Sequence, residues 1–188
     1  MLRSIILFIL LLVAPTVPAW PDVTAPAKGA AFPELTLPQP KSEAAAAYLG
    51  IDSAAKNFPL AGIKAKVLII EAFSMYCPYC QKEAPLVNKL YELFQGLDLA
   101  GKVKIIGLGV GNSDYEIQVF REKYAIAFPL FPDKSFAIHK LLGEVRTPYF
   151  WVLRLDGQGG SRVIYSKLGG ITDLPGFLKL IRQELGLK

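Results

Sequence analysis

Apolar residues in this chain gather into segments of two kinds. Val67-Leu68-Ile69-Ile70-Glu71-Ala72-Phe73 is nearly continuous apolar and rich in β-branched residues, which predicts a central parallel strand buried on both faces. From Cys80 onward, Ala84, Val87, Leu90, Tyr91 and Phe94 recur at helical spacing, with Pro85 placed to kink the helix. Residues 103–110 predict a second strand. Asn112 or Ser113 can cap a helix over 115–124. Residues 128–132 read as extended, with a short helix near 135–142. Pro148 opens a third strong strand over 149–155. The turn Asp156-Gly157-Gln158-Gly159-Gly160 then leads into an antiparallel partner over 162–168. Asp173 is placed to cap a last helix over 174–185, with Pro175 at its first position. Upstream, Ser42 can cap a short helix ending at Leu49, and Asn57-Phe58-Pro59-Leu60 has strand character. Strands alternating with helices and closing on a hairpin predict an α/β layer fold with a parallel part and an antiparallel edge.

The N-terminus follows a different pattern. Met1-Leu2-Arg3-Ser4 is a short basic start, residues 5–13 are uninterrupted apolar, and Ala14-Pro15-Thr16-Val17-Pro18-Ala19 supplies small residues and breakers. This predicts a signal peptide over 1–19, cleaved after Ala19. Pro15 and Pro18 interrupt the run before the ~20 residues a membrane span needs, so an uncleaved anchor is the lesser alternative. Residues 20–31, with Pro21 and Pro26, read as a flexible leader, and 32–188 as one domain. The expected location is periplasmic or otherwise exported. Removing 1–19 takes away one basic residue, Arg3, and leaves 20 Lys+Arg against 16 Asp+Glu. The basic residues are scattered and form no stripe, which argues against nucleic-acid binding. Gly107-x-Gly109-x-Gly111 lacks the spacing of a dinucleotide fingerprint and reads as turn chemistry.

Export changes the meaning of the cysteines, of which there are two, Cys77 and Cys80. Disulfides persist in exported compartments. A bridge between residues three apart closes a very small loop and restricts the unfolded chain little, so a structural role is a weak explanation. Chemistry is a better one. The pair follows a buried strand and stands where a helix begins. A helix N-terminus lowers the pKa of the first thiol, and the thiolate is the nucleophile. The two-residue gap sets the second thiol one turn on, close enough to resolve a mixed disulfide. Cys77 is therefore the candidate nucleophile and Cys80 the resolving thiol. Glu71, six residues before Cys77 in an apolar strand, is the candidate proton relay for Cys80, provided it points inward. Tyr76 and Tyr79 are aromatics placed to touch a partner. Two soft thiolates also suit Cu(I), with His139, the only histidine, as a further ligand; copper delivery is the alternative from another class, and a non-catalytic binding module a third. A peroxidase is disfavoured, because Ile70 and Ser74 stand where the Pro and Thr of a Pro-x-x-x-Thr-x-x-Cys pattern would be.

The element order, with Cys77-Pro78-Tyr79-Cys80 after the first strong strand, resembles the thioredoxin fold, and in particular the exported TlpA/ResA-like thiol–disulfide oxidoreductases. Phe73-Ser74-Met75-Tyr76 resembles the aromatic-rich approach to the motif, although Met75-Tyr76 stands where a tryptophan is common. Gln81-Lys82-Glu83-Ala84-Pro85 resembles the helix that follows. Thr147-Pro148 resembles the residue pair containing the cis-proline that faces the disulfide. Glu71 matches a buried acid, and the segment around 115–133 matches the insertion that marks the group. The resemblance implies a thioredoxin-like three-layer fold, a mixed central sheet flanked by helices with a central TlpA-type insertion. It implies a redox-active Cys77–Cys80 disulfide with no other cofactor and no metal, and protein thiol or disulfide substrates docked by Tyr76, Pro78, Tyr79, Thr147 and Pro148. It also implies a membrane-bound electron donor, a role as reductant and a monomeric protein.

Overall fold

The computed structural model describes residues 24–187 apart from Ser53 and Leu97. The expected signal peptide over 1–19 lies outside the described residues. Five strands make the main sheet, in the order β5-β4-β3-β6-β7: β3 (Val67–Phe73), β4 (Val103–Val110), β5 (Leu130–Asp133), β6 (Tyr149–Leu155) and β7 (Ser161–Leu168). β3 runs parallel to β4 and antiparallel to β6, β4 runs parallel to β5, and β6 and β7 form the hairpin. A separate two-stranded ribbon pairs β1 (Thr36–Pro38) with β2 (Asn57–Pro59).

β3 sits in the middle of the sheet because all seven of its side chains are suited to burial or forced into it, and all seven are buried. Alternation along a strand sends Val67, Ile69, Glu71 and Phe73 to one face and Leu68, Ile70 and Ala72 to the other. The first face packs on α2 (Pro78–Gly96) and α5 (Leu174–Glu184) through Val87, Leu90, Phe94, Phe177 and Ile181. The second face packs against the ribbon and α1 (Glu43–Leu49), with Leu37, Leu49, Phe58 and Trp151 in its core. The result is three layers. The segment around 115–133 becomes α3 (Asp114–Lys123) and β5, β5 extends the parallel side of the sheet by one edge strand, and the short α4 (Ala137–Leu141) follows it.

Capping follows the local chemistry closely. Ser42 accepts from the Ala45 N–H, and Ser113 and Glu116 form a reciprocal capping box at the start of α3. Asp173 caps α5 by accepting from the Gly176 N–H, but α5 begins at Leu174, so Pro175 is its second residue, not its first. α2 continues as one helix through Pro85.

The N-terminal leader departs from expectation. A flexible segment over 20–31 is predicted from its prolines, yet from residue 24 onward it packs on the domain. Gly29 N–H donates to the Val163 carbonyl at 2.7 Å, Ala31 bridges Arg162, and the Trp151 indole donates to the Pro26 carbonyl at 3.2 Å. Pro-rich composition lowers helix and strand propensity, but it does not prevent an extended segment from lying along a hairpin edge and meeting a buried indole. No helix among the described residues is long and apolar enough to cross a membrane.

Candidate active site

The site forms where β3 ends and α2 begins. Cys77 immediately precedes α2, and its carbonyl accepts from the Gln81 N–H, so the thiol stands at the helix N-terminus. It is half-buried, whereas Cys80, one turn into the helix, is completely buried. Both are free thiols in this structure. The Cys77 thiol donates to the Thr147 carbonyl at 3.3 Å.

The two thiols differ electrostatically. Partial burial opposes ionisation of Cys77, but hydrogen bonding from the Thr147 side chain, from Cys80 and from the Tyr79 backbone outweighs it, and the pKa is lowered. Burial pushes the Cys80 thiol well up, and the nearby Glu71 charge adds to that shift. Glu71 lies on the α2 face of the sheet and is 4% exposed. Burial raises its carboxyl to about 8, reinforced by the charges of Glu83 and Cys77. An acid that titrates near neutral pH thus sits under a thiol that resists ionisation.

Four further residues hold this geometry, and the sequence did not mark them as site residues. Glu83 accepts from the Ile171 N–H at 2.7 Å, and its charge helps to raise the Glu71 carboxyl. It lies one helical turn beyond Cys80, on the same side of α2, a spacing that could have flagged it. Asn112 is fully buried and accepts from the Met75 N–H at 2.9 Å, while Gln81 donates to the Met75 carbonyl at 2.8 Å. Glu116 accepts from the Ser113 hydroxyl at 2.6 Å, from the Tyr76 hydroxyl and from the Ser113 N–H at 2.7 Å. These bonds hold the Glu116 carboxyl down at about 2. The start of α3 therefore grips the backbone and side chain just before Cys77.

The other expected site residues divide into two sets. Thr147 and Pro148 stand beside Cys77, and the bond between them is cis. With Tyr79 they line an open groove of about 620 Å³ beside the thiol. Tyr76 and Pro78 do not line it: Tyr76 is turned to Glu116, and Pro78 is exposed in the first turn of α2. His139 makes a 2.8 Å bond with the Val145 carbonyl, and the described residues contain no group of three or more His, Cys, Asp or Glu side chains able to hold a metal ion.

This architecture and site place the chain among thioredoxin-like proteins. A family profile described as AhpC/TSA matches residues 29–162, and the chain belongs to that family. It is 27% identical over 111 residues to the thiol-disulfide oxidoreductase ResA of Bacillus thuringiensis subsp. konkukian, a match covering 59% of this chain and 62% of that protein. To the ResA of Bacillus anthracis it is 27% identical over 134 residues, covering 71% of this chain and 74% of the relative. Among solved structures, the thioredoxin domain of a thiol-disulfide oxidoreductase from Bacteroides vulgatus superposes with a TM-score of 0.59 at 18% identity, over 82% of this chain and 97% of that one. StoA from Bacillus subtilis superposes at 0.54 with 19% identity, over 83% and 99%.

Proposed function

We propose that this protein is an exported thiol–disulfide oxidoreductase acting on protein substrates. The observation that carries the reading is the asymmetry of the pair: Cys77 is half-buried with a lowered pKa, and Cys80 is buried with a raised one. The relatives named ResA agree with it. The Cys77 thiolate attacks one sulfur of a substrate disulfide, forming a mixed disulfide and releasing the other sulfur as a thiolate. Cys80 gives its proton to the Glu71 carboxylate and attacks Cys77. The Cys77–Cys80 disulfide forms, and the substrate leaves as a dithiol, two electrons richer. This bridge is the only redox group the cycle needs. Next turnover requires a dithiol donor, which for an exported reductant is a membrane-bound protein. The protein works as a monomer.

Alkylation rate against pH, with Cys80→Ser and Cys77→Ser variants, tests the assignment. Cys77 should label with a midpoint below the ordinary thiol value of about 8.5. Cys80→Ser should accumulate mixed disulfides with substrates and Cys77→Ser should not; the opposite pattern reverses the two roles. Equilibration against glutathione tests direction. A potential near the thioredoxin value of about −270 mV supports a reductant, and one near about −120 mV an oxidant.

A further inference from the structure

The groove beside Cys77 carries information about what it binds. One wall is the first turn and a half of α2, with Tyr79 and Lys82. The second is the segment Arg146-Thr147-Pro148. The third is the end of β7 at Leu168 and the connection that leads from it toward α5. At Gly169 and Gly170 this third wall is bare backbone. Gly169 has φ of +89°, a conformation that side chains disfavour, and a Cβ on Gly170 would lie 2.2 Å from a Glu83 carboxylate oxygen. The Thr147 N–H has no hydrogen-bond partner among the described residues. An open groove with an unpaired backbone donor at its edge fits an extended chain.

Charge then separates one extended chain from another. Lys82 and Arg146 are both exposed, they come from two different walls, and neither makes an ion pair among the described residues. The one carboxylate in the groove, Glu83, is turned to the Ile171 N–H. Apolar contact is available from Tyr79, 73% exposed, and Leu168, 41% exposed. We propose that the groove selects extended protein segments whose reactive cysteine is flanked by acidic residues, with Lys82 and Arg146 as the residues that read them. This rests on the oxidoreductase reading and adds the substrate class to it. Opposite charge on the two partners raises the encounter rate and fixes the register of the chain against Cys77.

The test uses the full chain, reduced beforehand and freed of reductant, in single turnover. Two short disulfide-bridged peptides serve as probes, identical except for Glu or Lys beside each cysteine. Each rate is divided by the rate with dithiothreitol, because acidic neighbours raise the leaving-thiol pKa and slow exchange intrinsically. The acidic peptide should be reduced about three- to tenfold faster on this scale, from two exposed pairs. The ratio should fall toward one in about 0.5 M salt, where the Debye length is under about 5 Å. Lys82→Glu with Arg146→Glu should reverse the order of the two peptides. Equal normalised rates, or a preference that neither salt nor charge reversal moves, overturns the acidic-substrate proposal while leaving the oxidoreductase reading intact. Failure to reduce either peptide faster than a Cys77→Ser/Cys80→Ser control overturns the oxidoreductase reading and the substrate proposal with it. The salt titration on the unaltered chain decides the matter if the double variant does not fold.

Discussion

Glu71 is the residue whose placement matters most after the cysteines. In sequence it interrupts an apolar strand, which is compatible with either face of a sheet. Alternation with Ile69 and Phe73 puts it on the α2 side, where burial and the charges of Glu83 and Cys77 raise its carboxyl from about 4.5 to about 8. A carboxyl raised by folding is accommodated fully below its unfolded pKa, and that stability is lost as pH climbs through the folded value. The folded chain binds more protons than the unfolded one in between. We therefore expect stability to fall between about pH 4.5 and 8, by up to roughly 1.4 kcal/mol per pH unit from this group. Glu71→Gln should flatten that fall, measured by urea denaturation across the range. The same substitution should slow the step in which Cys80 resolves a mixed disulfide and shift its pH dependence, followed by quenched-flow alkylation. Unchanged resolution kinetics would leave Glu71 a structural residue.

At the scale of elements, the active-site turn is held from outside by α3. Met75 bonds Asn112 across 37 residues, and Tyr76 bonds Glu116 across 40. Asn112→Ala strands the Met75 N–H in a partly buried place, at a cost of about 1–3 kcal/mol. A merely structural loss would lower stability and leave the thiol unchanged. If the brace orients the turn, the variant should also raise the Cys77 pKa and slow its alkylation at neutral pH. Local sequence revealed half of this arrangement. The capping box is legible, since Ser113 and Glu116 are three apart and their bonds are local. That Glu116 also receives the Tyr76 hydroxyl is not, because nothing near either residue says that α3 starts beside the end of β3. Glu83 was hidden for a related reason: a glutamate in the first turns of a helix usually faces water, and here the β7–α5 connection covers it.

For the whole molecule, the leader is the informative part. Residues 24–31 lie along β7 and place the Pro26 carbonyl on the Trp151 indole, 125 residues away in sequence. Trp151 is fully buried in the face of the sheet opposite α2. A chain starting at Phe32 should therefore be less stable than the full one, by a few kcal/mol from the lost hydrogen bonds and uncovered indole. Urea midpoints would report it, and so would the fluorescence maximum of Trp151 when the longer chain carries Trp20→Phe, moving to the red as water reaches the ring. An unchanged midpoint would mean that the leader rests on the domain without stabilising it.

What the sequence alone determined is whatever depends on neighbours in the chain. Strand β3, helix α2, the β6–β7 hairpin and the caps at Ser42, Ser113 and Asp173 follow from periodicity, propensity and side-chain-to-backbone bonds that reach three or four residues. So does the position of Cys77 at a strand-to-helix junction, on which the proposed redox role of the pair rests. Tertiary structure alone decided the face on which Glu71 is buried, the brace from Asn112 and Glu116, the seat of Glu83, the docking of the leader and the placing of Lys82 and Arg146 on one groove. Each of these joins segments far apart in sequence. Burial, the pKa shifts it causes and the charge of a groove depend on distance through space, and that distance exists once the layers have packed.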